Sequence, residues 1–338
     1  MTMRALIVAP AWVGDAIMIQ PLLMRLKKMS MEIDVLSPAW AAPLFARMPE
    51  VGQIHVSPFR HGELALYRRF SLARRLRGYT HAYILPYSFK SALIPFFAGI
   101  PYRHGFTGEA RYGLINVRHV LDKSALPRAV DRFAQLANEP GTPLERPVPF
   151  PRLVSTLEQQ RATLRELGLE EDGEAPIIFC PGAEYGSAKR WPVEHFASLA
   201  LALGKEGARI WLVGSDKDKI LADAILALLP ERARAGFRNL CGATMLLQAI
   251  DVIAFSRLVI CNDSGLMHVA AALNRPLVAL FGSSSPDFTP PLSEKAEIAR
   301  LNLECSPCFK RECPLGHLDC LYKLTPELAL AASNRLIS

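Results

Sequence analysis

The chain has 338 residues, half of them hydrophobic, with 39 Lys and Arg against 32 Asp and Glu for a net charge of +7. That length suggests about two domains, and so much apolar residue excludes a disordered chain. No apolar run approaches the roughly 20 residues of a membrane-spanning helix, and the stretch after Arg4 is too short for a signal-peptide core, so it reads as a first strand and a cytoplasmic chain is expected.

Strand and helix patterns alternate from the start. Ala5–Ala9 reads as a buried strand, with a helix from about Asp15 to Lys28 and a second strand at Ile33–Leu36. An Arg-rich helical stretch follows over Glu63–Arg77, then a strand at Ala82–Leu85 and helical patterns at Ser88–Phe97 and Arg128–Asn138. Prolines crowd Glu139–Arg152, which prevents a continuous helix or central strand and suits a linker. A helix at Leu157–Leu167 opens the second half, whose strands are predicted at Ile177–Cys180, Arg209–Val213, Leu258–Cys261 and Pro276–Phe281. Short apolar runs separated by helices indicate βαβ units and parallel sheets, so the chain is an α/β protein. The predicted domains are 1–150 and 151–325, with a final helix over 326–338 that packs back toward the first domain.

Charge is uneven. Residues 1–150 hold 19 Lys and Arg against 10 Asp and Glu, whereas the remainder holds 20 against 22. A basic half beside a near-neutral one suggests an anionic partner for the first half: nucleic acid, an anionic lipid surface or a phosphorylated glycolipid. No nucleic-acid-binding motif is present.

In doubly wound sheets, ligands collect in the loops beyond the carboxyl ends of strands. The first such loop, Ala9–Asp15, lacks G-x-G-x-x-G, and the second strand lacks a terminal acidic residue, which together count against a nicotinamide oxidoreductase. It does place Asp15 at a helix start, where a carboxylate stays ionised and can act as a base or simply cap the helix. The second loop, Cys180–Pro192, pairs small residues (Gly182, Ala183) with two cations, Lys189 and Arg190, a pattern that suits a diphosphate leaving group and also an ordinary solvated loop. The third follows a buried strand with Asn262-Asp263-Ser264-Gly265-Leu266, then His268 in an Ala-rich helix. Backbone N–H groups at that helix start form an anion site. The fourth, Phe281–Pro291, is rich in Ser and Pro and fits turn chemistry as well as ligand binding.

In order along the chain, Gly14-Asp15, Pro181-Gly182-Ala183-Glu184, Lys189-Arg190-Trp191-Pro192 and Asn262-Asp263-Ser264-Gly265-Leu266-Met267-His268 resemble the family-9 glycosyltransferases, the bacterial heptosyltransferases. Trp12-Val13-Gly14-Asp15, Pro86-Tyr87-Ser88-Phe89-Lys90-Ser91-Ala92 and Pro286-Asp287-Phe288-Thr289-Pro290-Pro291 are similar to the branch that adds the second heptose of the lipopolysaccharide inner core. The resemblance implies a GT-B fold, two doubly wound Rossmann-like domains facing each other across a cleft. It implies an inverting transfer of L-glycero-D-manno-heptose from ADP-heptose to the first heptose of heptosyl-Kdo2-lipid A, with no cofactor or metal and no nucleic-acid partner. Another family-9 acceptor, including that of the branch adding the first heptose, is the alternative.

Carried over residue by residue, Asp15 is the catalytic base. Gly182, Ala183, Lys189, Arg190, Asp263, Ser264, Gly265, Leu266 and His268 hold the donor; Lys90, Arg111 and Arg132, from the basic first half, are candidate contacts to the acceptor. That acceptor, the lipid A–core at the cytoplasmic face of the inner membrane, matches the basic first half, whose Arg68, Arg69, Arg74, Arg75 and Arg77 either rest on anionic lipid or core phosphates or form a solvated helix face. Cys305, Cys308, Cys313 and Cys320 supply enough thiolates for a tetrahedral zinc, but without the usual paired spacing, and a reducing cytosol disfavours disulfides. No catalytic role is assigned to them.

Overall fold

The computed structural model describes residues 3–337 apart from 61, 170, 172 and 205–207. Contacts divide the chain into two compact units, Met1–Pro151 and Arg152–Ser338. The first contains β1 (Arg4–Val8), α1 (Val13–Met18), α2 (Gln20–Lys28), β2 (Glu32–Pro38), α3 (Ala42–Phe45), β3 (Val51–Ser57), α4 (Leu66–Arg75), β4 (His81–Ile84), α5 (Phe89–Phe97), β5 (Tyr102–Phe106), β6 (Val117–His119) and α6 (Ala129–Gln135). The second contains α7 (Leu157–Glu166), β7 (Ile177–Cys180), α8 (Val193–Gly204), β8 (Ile210–Leu212), α9 (Lys219–Ala227), β9 (Phe237–Asn239), α10 (Leu246–Phe255), β10 (Leu258–Asn262), α11 (Gly265–Ala272), β11 (Leu277–Phe281), β12 (Ala296–Arg300), α12 (Asp319–Tyr322) and α13 (Pro326–Ile337).

Each unit is built on one six-stranded parallel sheet, ordered β3-β2-β1-β4-β5-β6 in the first and β12-β11-β10-β7-β8-β9 in the second. The expected α/β class is therefore what forms, twice, with the same winding. In each sheet the strand order reverses beside the first strand, between β1 and β4 and between β7 and β10, and that crevice is where a doubly wound sheet receives ligands. Central strands are apolar throughout because helices cover both faces: Ile177, Ile178 and Phe179 of β7 and Leu258, Val259 and Ile260 of β10 are all fully buried. Trp191, Phe196, Leu199 and Leu203 of the β7–α8 segment pack on one face of that sheet with Ala329 and Ala332 of α13.

Two expectations are corrected. The single helix over Asp15–Lys28 is two, because Pro21 stands in the first turn of α2, where its missing N–H removes a bond back into α1. Strands β3, β5, β6, β9 and β12 add to both sheets beyond those predicted. Within the second unit α13 lies on α8 and on β11 and β12. The Pro-rich stretch from 139 to 152 carries no helix or strand, as its composition dictates.

Candidate functional site

In the second unit β10 lies between β7 and β11, so the loops that follow these three strands meet at the carboxyl edge of the sheet. Lys189 ends a short 3-10 turn, Ser187–Lys189, and its Nζ donates to Asp263 Oδ2 at 2.5 Å. Asp263 is 4% exposed, and the same oxygen accepts the Ser284 hydroxyl. The Tyr185 ring centroid lies 5.0 Å from the ammonium, an added attraction for a cation. Asp263 thus fixes both a cation and a hydroxyl at the start of α11.

Ser264 enters α11 in an extended conformation, and no side chain caps the helix; its Oγ lies instead 3.3 Å from Cys261 Sγ. The first-turn N–H groups that begin with Gly265 and Leu266 therefore face outward without a side-chain acceptor, which suits an anion. His268 is buried one turn on, and burial lowers its pKa to about 4; the nearby Lys189 lowers it further while Asp263 opposes. Near pH 7 it is therefore a neutral imidazole.

The β7 loop is held tightly. Asn262 accepts the Trp191 N–H at 3.1 Å and donates to the Pro181 carbonyl at 2.7 Å, clamping both ends of the loop to β10. A Cβ on Gly182 would sit 2.2 Å from the Asp218 carboxyl carbon, and one on Gly186 2.2 Å from the Arg311 carbonyl oxygen. Backbone on the far side demands glycine at 186, whereas a side chain at 182 would have to displace the Asp218 carboxylate. Ala183 is buried, and its carbonyl accepts Arg190 at 3.3 and 3.4 Å. Arg190 braces the loop from within.

Ser284 comes from the fourth loop, whose sequence fits turn chemistry as well as ligand binding and does not single it out. Its available signal was a triple serine following a buried strand and Gly282. The segment 305–313 had no such signal, because it supports the site mainly through its backbone, with the Ser306 hydroxyl as the one side chain among these bonds. Phe309 N–H donates to the Ser283 carbonyl at 2.7 Å, Ala188 N–H to the Arg311 carbonyl at 3.0 Å, and Ser306 Oγ to the Gly282 carbonyl at 2.7 Å.

In the first unit, the N-cap of α1 is Trp12, which caps with no side chain, and Asp15 lies three residues on, within the first turn and half-buried. Tyr87 follows β4, across the crevice from the β1 loop. Burial raises its pKa, Arg132 and Arg111 oppose the rise, and Asp15 adds to it. Asp15, Arg111 and Arg132 are therefore gathered around one tyrosine. Arg132 is half-buried, with Nε donating to the Leu126 carbonyl at 3.0 Å. Lys90 stands in the first turn of α5, half-buried.

Arg111 corrects the sequence reading. It is 3% exposed, and its guanidinium donates to the Pro86 carbonyl at 2.8 Å and to the Phe106 carbonyl, so it ties the β4 loop to β5 beneath the surface. Arg69 is likewise not on a solvated face: it is buried over Phe59 and donates to the carbonyls of Leu64, Glu63 and Lys90. Arg68, Arg74, Arg75 and Arg77 are exposed.

A crevice that offers a lysine and an uncapped helix start in a doubly wound sheet is suited to a sugar nucleotide, and the comparisons place the chain among the enzymes that use one. The family model described as glycosyltransferase family 9 (heptosyltransferase) matches residues 69–319. Lipopolysaccharide heptosyltransferase 2 of Escherichia coli is 46% identical, with 99% of each chain covered. Lipooligosaccharide heptosyltransferase 2 of Haemophilus influenzae is 44% identical over 99% of this chain and 100% of its own. The solved structure of E. coli ADP-heptose LPS heptosyltransferase II superposes with a TM-score of 0.90 at 45% identity, covering 99% of this chain and 98% of that one. The chain is a glycosyltransferase. It belongs to glycosyltransferase family 9, the heptosyltransferases.

Proposed function

We propose that the chain moves L-glycero-D-manno-heptose from ADP-heptose to the first heptose of the lipopolysaccharide inner core, with inversion and without a metal. The observation that carries this reading is the Lys189 ammonium held by Asp263 at the uncapped start of α11. Full-length similarity to proteins named heptosyltransferase 2 supports the sugar and the acceptor.

In this reading the second unit holds the donor. Gly182 and Ala183 let backbone approach the nucleotide, and Arg190 holds that loop in shape. The N–H groups of Ser264, Gly265 and Leu266 with Lys189 receive the diphosphate, and His268 lies behind them. The first unit holds the acceptor. Asp15 takes the proton of the acceptor hydroxyl as that oxygen bonds to the anomeric carbon. The bond from the anomeric carbon to the diphosphate oxygen breaks in the same displacement, which inverts the centre, and ADP departs with the electron pair. Lys189 and the helix start stabilise the charge that grows on ADP, which is the task a metal performs elsewhere. Lys90 and Arg132 face acceptor phosphates or carboxylates, while Arg111 contributes only the field of its charge. The exposed arginines of α4 and its flank suit the anionic surface of the inner membrane, at whose cytoplasmic face this lipid acceptor would be met.

Transfer from ADP-heptose should be measured with EDTA present, on heptosyl-Kdo2-lipid A and on Kdo2-lipid A in parallel. Turnover on the heptosylated acceptor alone is expected. Turnover on Kdo2-lipid A would move the assignment to the first heptose, and a requirement for added Mg2+ or Mn2+ would remove the role given to Lys189.

A further inference from the structure

Behind the donor loops lies a feature that sugar transfer does not use. Cys305, Cys308, Cys313 and Cys320, all unbridged, line one small pocket together with His317, Ala188 and Ser283. The three remaining cysteines, Cys180, Cys241 and Cys261, are buried elsewhere, Cys180 and Cys261 as neighbours in β7 and β10. Four thiols brought to one pocket from a 16-residue span are not a by-product of sheet packing, because only Cys320 lies in a helix and none in a strand.

The backbone beside these cysteines takes left-handed turns. Phe309, directly after Cys308, has φ +55°, and Gly316 and Leu318, after Cys313, have φ +75° and +52°. Phe309 and Leu318 adopt a left-handed conformation that non-glycine residues seldom take. Among the described residues no three Cys, His, Asp or Glu side chains already stand in a ligating cluster. The four thiols nevertheless share one small pocket.

We propose that Cys305, Cys308, Cys313 and Cys320 are a tetrathiolate site for one thiophilic divalent metal, zinc or iron, that locks the 305–320 loop against the donor loops. Four sulfurs without nitrogen or oxygen ligands select such an ion and close its coordination sphere, so the metal is structural and offers no open position to substrate. Binding releases the thiol protons and converts metal affinity into loop order. The order is transmitted by the backbone bonds already described, from Phe309 to Ser283 and from Arg311 to Ala188, on either side of the Lys189–Asp263–Ser284 group.

The full chain should be purified under reductant from cells supplied with zinc or with iron, and its metal content measured by mass spectrometry. About one metal per chain is expected, falling to background in the fourfold variant C305S/C308S/C313S/C320S. Because that variant can fail to fold, native protein stripped with a chelator should also be titrated with Co2+. A thiolate-to-cobalt charge-transfer band with tetrahedral d–d bands, saturating at about one equivalent, is expected. Metal-free protein that gives no such spectrum overturns the proposal, whether all seven thiols titrate as free or some prove to be disulfides. Metal content unchanged in a folded fourfold variant overturns it equally. None of these readouts depends on the sugar or acceptor assigned above.

Discussion

Lys189 is a cation whose position is set by another residue. Its ammonium meets a carboxylate that is 4% exposed and that also binds Ser284, so the charge is preorganised before any substrate arrives. A group aimed at charge that develops during bond breaking acts mainly on the transition state. Lys189→Ala is therefore expected to lower kcat/KM for ADP-heptose by about 3 kcal/mol in transition-state terms, the cost of losing one preorganised donor. Asp15→Ala should behave differently. A base that acts on the acceptor leaves donor affinity near wild type while turnover falls by about a hundredfold or more. Steady-state kinetics with ADP-heptose varied, together with calorimetric binding of the donor, separate the two. Near wild-type kinetics for Lys189→Ala would remove it from the site, and collapse of donor binding in Asp15→Ala would remove the base.

At the scale of elements, the loops work because strands hold them at both ends. Asn262 closes β10 and bonds across to both ends of the β7 loop, at Pro181 and Trp191, with no exposed surface of its own. Truncation would leave a buried carbonyl and a buried N–H without partners, at about 1–3 kcal/mol for each such group. Asn262→Ala should lower the urea midpoint by an amount equal to about 2–4 kcal/mol, with a loss of donor affinity that exceeds any change in turnover. An unchanged midpoint would show that water or loop relaxation replaces the clamp. The central strands and these loops were legible in the sequence, since strands covered on both faces read as plain apolar runs and the loops after them carry Gly, Asp and Lys at set intervals. The outer strands were not. Residues 102–106 and 117–119 contain Arg103, His104, Arg118 and His119, and these polar side chains break the apolar pattern. Pro21 did carry a signal for the helix break, one that helical periodicity on either side concealed. The burial of Arg69 and Arg111 was beyond any local pattern, because it depends on carbonyls supplied by distant turns. For the same reason the support given by residues 305–313 could not be read from side chains.

The two units share one winding, and each also buries a histidine that must stay neutral to fold. In the first, His104 on β5 has both ring nitrogens without a hydrogen-bond partner among the described residues, stacks on Tyr83 with 4.4 Å between ring centroids, and lies near His81 and His119. Burial lowers its pKa to about 3, with the neighbouring histidines adding to the effect. In the second, His268 is lowered to about 4, again chiefly by burial. An unfolded histidine titrates near 6.5, so above that pH both states are neutral and these groups exert no pull. As pH falls below it, the unfolded chain takes up protons that the folded chain refuses until pH approaches about 3 to 4. Folding stability is therefore fully present near pH 7 and declines with acid, by on the order of 2 kcal/mol for each histidine by about pH 5. Both units carry this liability, so neither can shelter the molecule in mild acid. Urea unfolding of wild type and His104→Phe at about pH 7 and about pH 5 checks the origin of the loss. The phenyl ring keeps the stacking and cannot be protonated, so the variant should lose less stability between the two pH values, and the difference should appear in the transition of the first unit. An equal loss in both proteins would show that His104 is reached by water in the fold and that the acid sensitivity belongs to other groups.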